Sequence, residues 1–160
     1  MIDKRLSGLH KFALATLLFL FFQFILGMTL NEFVTFPGTL GSTVPFDQFG
    51  TLLMQYPILL VHYALGLLLL AISIAFLVLI NRIDQRDIRI RKRDMMVIGL
   101  LGFLSVFGAL ASGIAFMYYA FQNSTYSFAM AMGFIVALFS YFALFYKTRD
   151  WTAAPNRRKW

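Results

Sequence analysis

The chain contains no cysteine, which excludes disulfides, zinc–thiolate sites and iron–sulfur clusters held by this chain alone. Charge is also scarce. Charged residues make up 13% and hydrophobic residues 60%, whereas about a quarter of an ordinary soluble domain is charged. That deficit excludes a soluble globular domain and points to a polytopic membrane protein. Histidine is limited to His10 and His62. No hydrophobic span carries a charge or a proline break of the kind that marks an ion path, which argues against a transporter.

The chain opens with a short basic stretch, Met1 to Lys11, holding Lys4, Arg5 and Lys11. A first span follows over about 12–31, rich in Leu and Phe, with Gln23 near its centre. It runs to about twenty residues with no small-residue cleavage site behind it, so it reads as a retained helix rather than a signal peptide. A buried amide at that depth costs a few kcal/mol if unpaired. Gln23 is therefore expected to face another helix or a cofactor. Residues 32–55 carry Pro37, Gly38, Gly41, Pro45 and Gly50, which rule out one continuous helix. Their second half, Pro45 to Met54, is semi-apolar, and an interfacial helix and a plain loop are both open readings there.

The second span, about 56–80, is uncharged and long enough to cross a bilayer. A solvated loop over 81–94 then holds six basic and three acidic residues. The third span, about 95–121, contains Gly99, Gly102, Ser105, Gly108, Ala109, Ser112 and Gly113. Small residues four apart let helix backbones approach closely in lipid, where packing replaces the hydrophobic effect. The fourth span, about 126–146, has its own small face in Ala129, Gly133 and Ala137. A basic tail closes the chain.

All fourteen Lys and Arg fall in the amino terminus, the 81–94 loop and the carboxyl tail. By the positive-inside rule these three segments are cytoplasmic. The expected fold is therefore all-α: a polytopic membrane four-helix bundle, one domain over 1–160, both termini cytoplasmic, in the cell membrane. The net charge of +7 is then a topology signal. It favours anionic lipid as a secondary partner and argues against nucleic acid.

Topology also separates the histidines. His62 lies roughly 9 Å below the outer boundary, and His10 lies at the inner boundary of a different helix, so the two cannot ligate one metal. A histidine within a span is a functional candidate, and as a haem ligand His62 needs a non-histidine partner. Met28, Met54, Met117, Met130 and Met132 map to the same end. Met130 shares a face with Gly133 and Ala137, and Met117 follows Gly113 by four, so these two are the candidate thioether ligands. Met132 points elsewhere, towards lipid or a partner. Gly66, one turn from His62 on the same face, would leave space for a flat macrocycle. His62 and Met130 together could also hold copper(I). Against these stand the roles of methionine as gap filler and of a membrane histidine as an interhelical hydrogen-bonding group.

The order of features resembles one four-helix half of the heme A synthase family. The residues that carry the resemblance are a first span ending Gln23 to Gly27, an extended outer loop, a second span opening Tyr56-Pro57-Ile58-Leu59-Leu60-Val61-His62-Tyr63, and a glycine-rich third span. The resemblance implies haem handling in oxidase biogenesis. The family's fourth-helix histidine is replaced here by Tyr126 to Met132, and its loop cysteines and the acidic residue near the outer end of the second span have no counterpart.

Two readings follow. One is a small b-type cytochrome or heme-A-synthase-like protein with haem b on His62, Met130 as best partner, and Met117 and Gly66 lining the site, active in electron transport or oxidase biogenesis. The other is a cofactor-free accessory subunit of a larger, respiratory-type membrane complex. Both expect lipid around the bundle, and either other membrane subunits or a homo-oligomer as partners.

Overall fold

The computed structural model describes residues 4–34, 43–82 and 89–152. Helix α1 spans Lys4–Phe33, a single 3-10 turn covers Phe46–Gln48, and α2 spans Phe49–Gln55. Helices α3, α4 and α5 span Pro57–Asn81, Arg89–Tyr118 and Ser124–Thr152. The described residues contain no strand. Stretches Gly8–Phe33, Pro57–Asn81, Lys92–Tyr118 and Ser124–Thr148 are each long and apolar enough to cross a membrane. The expected all-α four-helix bundle is what forms.

Boundaries differ from the sequence reading where charge met helix. The basic stretch at the amino terminus is the first part of α1, and α4 and α5 extend into the 81–94 loop and the basic tail. Charged residues such as Lys and Arg are good helix formers, so hydropathy ends before the helix does. Tail residues 153–160 and the loop tip 83–88 lie outside the described residues.

The open question over Pro45 to Met54 resolves as helix, and Pro57 explains why it stops. Proline has no N–H to continue α2 and disfavours helical geometry in the residue before it. Tyr56 accordingly sits at φ −121°, ψ 85°, with Pro57 in the first turn of α3. The segment leading into α2 is tied down by the Val44 N–H donating to the Tyr118 carbonyl at 2.7 Å. Phe46 stacks on the Tyr118 ring at 5.3 Å.

The third span ends three residues earlier than its hydropathy suggests, in a Schellman turn. Phe121 N–H donates to the Phe116 carbonyl at 2.9 Å, and Ala120 N–H to the Met117 carbonyl at 3.1 Å. The Phe121 ring meets Phe116 edge-on at 5.5 Å, the apolar contact this motif favours. Ala120 and Phe121 hold φ of 52° and 61°, and the first of these is the position where glycine is usual. Left-handed backbone costs an L-residue about 1–2 kcal/mol, and deleting one buried methyl costs about 0.8 kcal/mol. Ala120→Gly is therefore expected to leave stability unchanged or raise it by up to about 1 kcal/mol, read as the midpoint of thermal or denaturant unfolding in detergent. A fall of more than that amount would contradict this account of the turn. Asn123 then starts α5, its side-chain oxygen accepting from the Thr125 N–H at 3.1 Å.

The four long helices form a ring in the order α1, α3, α4, α5, with α4 and α5 sharing the most extensive seam. Phe76 and Tyr141 meet across the α3–α5 diagonal, ring centroids 5.6 Å apart, both fully buried. They belong to one apolar core with Leu9, Ala13, Leu69, Met95 and Leu144. A second, smaller core of Leu30, Leu52, Leu59 and Met117 lies under α2. Thr16, Ser73, Ser140 and Thr148 are buried, yet each donates its hydroxyl to the carbonyl four residues earlier. Short polar side chains satisfy themselves within their own helix in this way. Longer ones cannot.

Candidate functional site

Between the two apolar cores lies a layer of different character. On α1 it holds Gln23 and Gly27, on α3 His62 and Gly66, on α4 Leu110 and Gly113, and on α5 Met130 and Gly133. The glycines are where the long side chains are housed. A Cβ on Gly27 would lie 3.2 Å from His62 Cε1 and 3.9 Å from its Nδ1. One on Gly66 would meet Gln23 Nε2 at 3.4 Å and Leu110 at 3.6 Å, and one on Gly113 would meet Met130 Sδ at 3.3 Å. Glycine is needed at Gly27 so that the imidazole can lie against the α1 backbone.

Gln23 faces α3, as a polar group within a span must find a partner. Its Nε2 donates to the His62 carbonyl at 3.1 Å and lies 3.3 Å from His62 Nε2. The carbonyl accepts only, which places the amide nitrogen, not the oxygen, on this side. An amide nitrogen only donates. His62 Nε2 must therefore accept, and the neutral ring carries its hydrogen on Nδ1. Two buried atoms of the pair have no hydrogen-bond partner: His62 Nδ1 and Gln23 Oε1. The remaining one among the described residues is the Tyr141 hydroxyl, which lies near Ser73 without hydrogen-bonding geometry.

No family model, curated protein or solved structure matches the chain. The chemistry must therefore be read from the side chains themselves. The structure places His62 on the α1–α3 seam and Met130 on the α4–α5 seam. Met117 is buried in the apolar core beneath α2 with Leu30, Leu52 and Leu59. The recess at Gly66, expected to admit a macrocycle, is taken by the Gln23 amide and Leu110. The pattern that could have found this arrangement is Gln23 and Gly27, four apart on one helix, facing His62 and Gly66, four apart on the next. Met28 and Met132 are half exposed and Met54 is 75% exposed, so all three turn away from the layer. No group of three or more His, Cys, Asp or Glu among the described residues could hold a metal ion.

His10 belongs to the opposite end. Its Nδ1 lies 3.1 Å from the Thr148 hydroxyl, and its ring stacks on Phe145 at 4.4 Å. Thirteen helical residues separate it from Gln23, roughly 20 Å along α1. The two histidines form separate sites, as their places in the sequence imply.

A haem iron at His62 needs an unprotonated ring nitrogen and room for a tetrapyrrole beside it. The Nε2 lone pair faces the Gln23 amide, Nδ1 carries the hydrogen, and the recess at Gly66 is filled by the Gln23 amide and Leu110. As packed, the residues around His62 do not fit a haem.

Proposed function

We propose that this chain is an accessory helical subunit of a larger membrane assembly, inserted with both termini on the cytoplasmic side. In this reading His62 serves an interhelical bond and not a metal. The observation that carries it is the Gln23–His62 contact: the Nε2 lone pair that a metal would need faces the Gln23 amide at 3.3 Å, and the recess at Gly66 is filled by that amide and Leu110. The apolar surface at the α2 end supports the subunit role. Phe46 and Met54, outside the four spans, are 67% and 75% exposed, and Phe33 at the end of α1 is 79% exposed. Large apolar side chains this exposed at the end of a bundle suit a surface covered by a partner or by interfacial lipid. The orientation rests on the Lys and Arg at the opposite end, where Asp94 and Lys147 also join α4 to α5 at 3.3 Å.

Mild-detergent extraction from the native membrane, followed by size analysis and an absorption spectrum, tests the proposal. The chain is expected to migrate with other membrane subunits and to show no Soret band that depends on His62. A chain that migrates alone, with a Soret band abolished in a folded His62→Ala variant, would restore the haem reading and the heme A synthase kinship.

A further inference from the structure

We propose that the end of the bundle bearing α2 is a docking surface for a basic extramembrane segment of a different protein, one that carries Lys or Arg among exposed apolar side chains. This deepens the subunit reading and rests on it. From Phe12 to Asn81, and again from Met95 to Tyr146, the chain has no Lys or Arg, and its charged residues there are Glu32 and Asp47 alone. Both carboxylates are exposed. The fourteen basic residues flank the opposite ends of the spans, so none of them stands near these two acids. Each acid also adjoins a strongly exposed phenylalanine in sequence: Glu32 precedes Phe33, and Asp47 follows Phe46.

The chemistry of this end selects its occupant. An exposed phenylalanine face attracts a guanidinium or ammonium by cation–π interaction, so rings and carboxylates favour the same cation, while Met54 and the ring edges favour apolar neighbours. Phe46 is held ready for it. Stacked on Tyr118 at 5.3 Å and packed against Phe49 at 4.9 Å, its ring has little freedom left to lose on docking. A second copy of this chain does not supply the cation, because copies inserted with one topology present the same acidic end to the same side of the membrane. Phospholipid does not supply it either. Each ammonium in a headgroup comes with a phosphate, so the lipid surface is neutral or negative overall. A separate protein with a net positive surface meets both requirements, and charge pairs at such a contact act on encounter rate and salt dependence.

A photoreactive phenylalanine analogue at position 46 of the full chain, activated in right-side-out native membranes, tests this. Adducts are expected with one other protein, at a peptide that contains Lys or Arg, and their yield should fall about threefold or more as salt rises from about 50 to about 300 mM. Glu32→Gln combined with Asp47→Asn is expected to lower the low-salt yield by a similar factor and to remove the salt dependence. Adducts confined to lipid or to copies of this chain, a partner peptide without Lys or Arg, or a yield indifferent to salt would each overturn the proposal. The salt titration decides it even if the double variant fails to fold. Size analysis of a mild-detergent extract of the same membranes separates the two readings: co-migration with other subunits without the expected adducts defeats the docking surface alone, whereas a chain that migrates alone and gives no protein adduct defeats both.

Discussion

Gly133→Val is expected to destabilise the bundle by about 3 kcal/mol, the upper end of the usual range for overpacking. A Cβ at Gly133 would lie 2.9 Å from the Ser105 carbonyl oxygen, 3.0 Å from Ala109 Cβ and 3.2 Å from the Ala109 nitrogen. Two of those three are backbone atoms of α4. They cannot swing aside as a side-chain tip can, so α4 and α5 must separate along their seam. In lipid that seam is held by close packing, with no hydrophobic effect to compensate, and dispersion attraction falls steeply with even a small gap. Gly108→Val is the matched control. Nothing lies within 4 Å of a Cβ there, and its expected effect is within about 0.5 kcal/mol. Unfolding of both variants in mixed detergent micelles checks the pair. Equal losses at the two positions would mean that the small residues of α4 and α5 do not form the contact described.

The small-residue faces that meet in that seam were legible in the sequence, though not that they meet each other. Ser105, Ala109 and Gly113 repeat every four residues, as do Ala129, Gly133 and Ala137, and such faces have few uses other than close helix approach. The need of Gln23 for a partner was legible for the same kind of reason, since an amide in hydrocarbon must bond to something. Which helix would supply that partner was not. Helical phase marks the inward arc of a helix, and in a four-helix ring that arc faces two neighbours. Met130 shows the limit: its phase correctly turns it inward, but inward on α5 includes the α4 seam, where its sulfur lies over Gly113. A pairing with His62 requires the order of helices around the ring, which spacing along one helix does not contain. The Ala120 turn was hidden for a simpler reason. The left-handed position of a Schellman motif is ordinarily announced by glycine, and here alanine occupies it.

Removing Gln23 and His62 singly and together is expected to give a non-additive cycle, with a coupling of about 1 kcal/mol. Gln23→Ala leaves His62 Nε2 and the His62 carbonyl without the donor that now serves both at 3.3 Å and 3.1 Å. A buried group so orphaned costs about 1–3 kcal/mol. His62→Ala adds a second loss, because the ring that fills the notch at Gly27 goes with it. It is expected to be the more damaging single change, at about 3 kcal/mol. The double variant removes both members of the ring contact, so the desolvation penalty that each single variant leaves behind disappears. Its loss is therefore expected to fall short of the sum of the two. Strict additivity would mean that the amide and the imidazole are not bonded, and the tautomer argument that keeps both ring nitrogens from a haem would fail with it. Coupling larger than the usual interhelical bond, about 1.7 kcal/mol at most, would instead show that something else in the layer depends on both side chains.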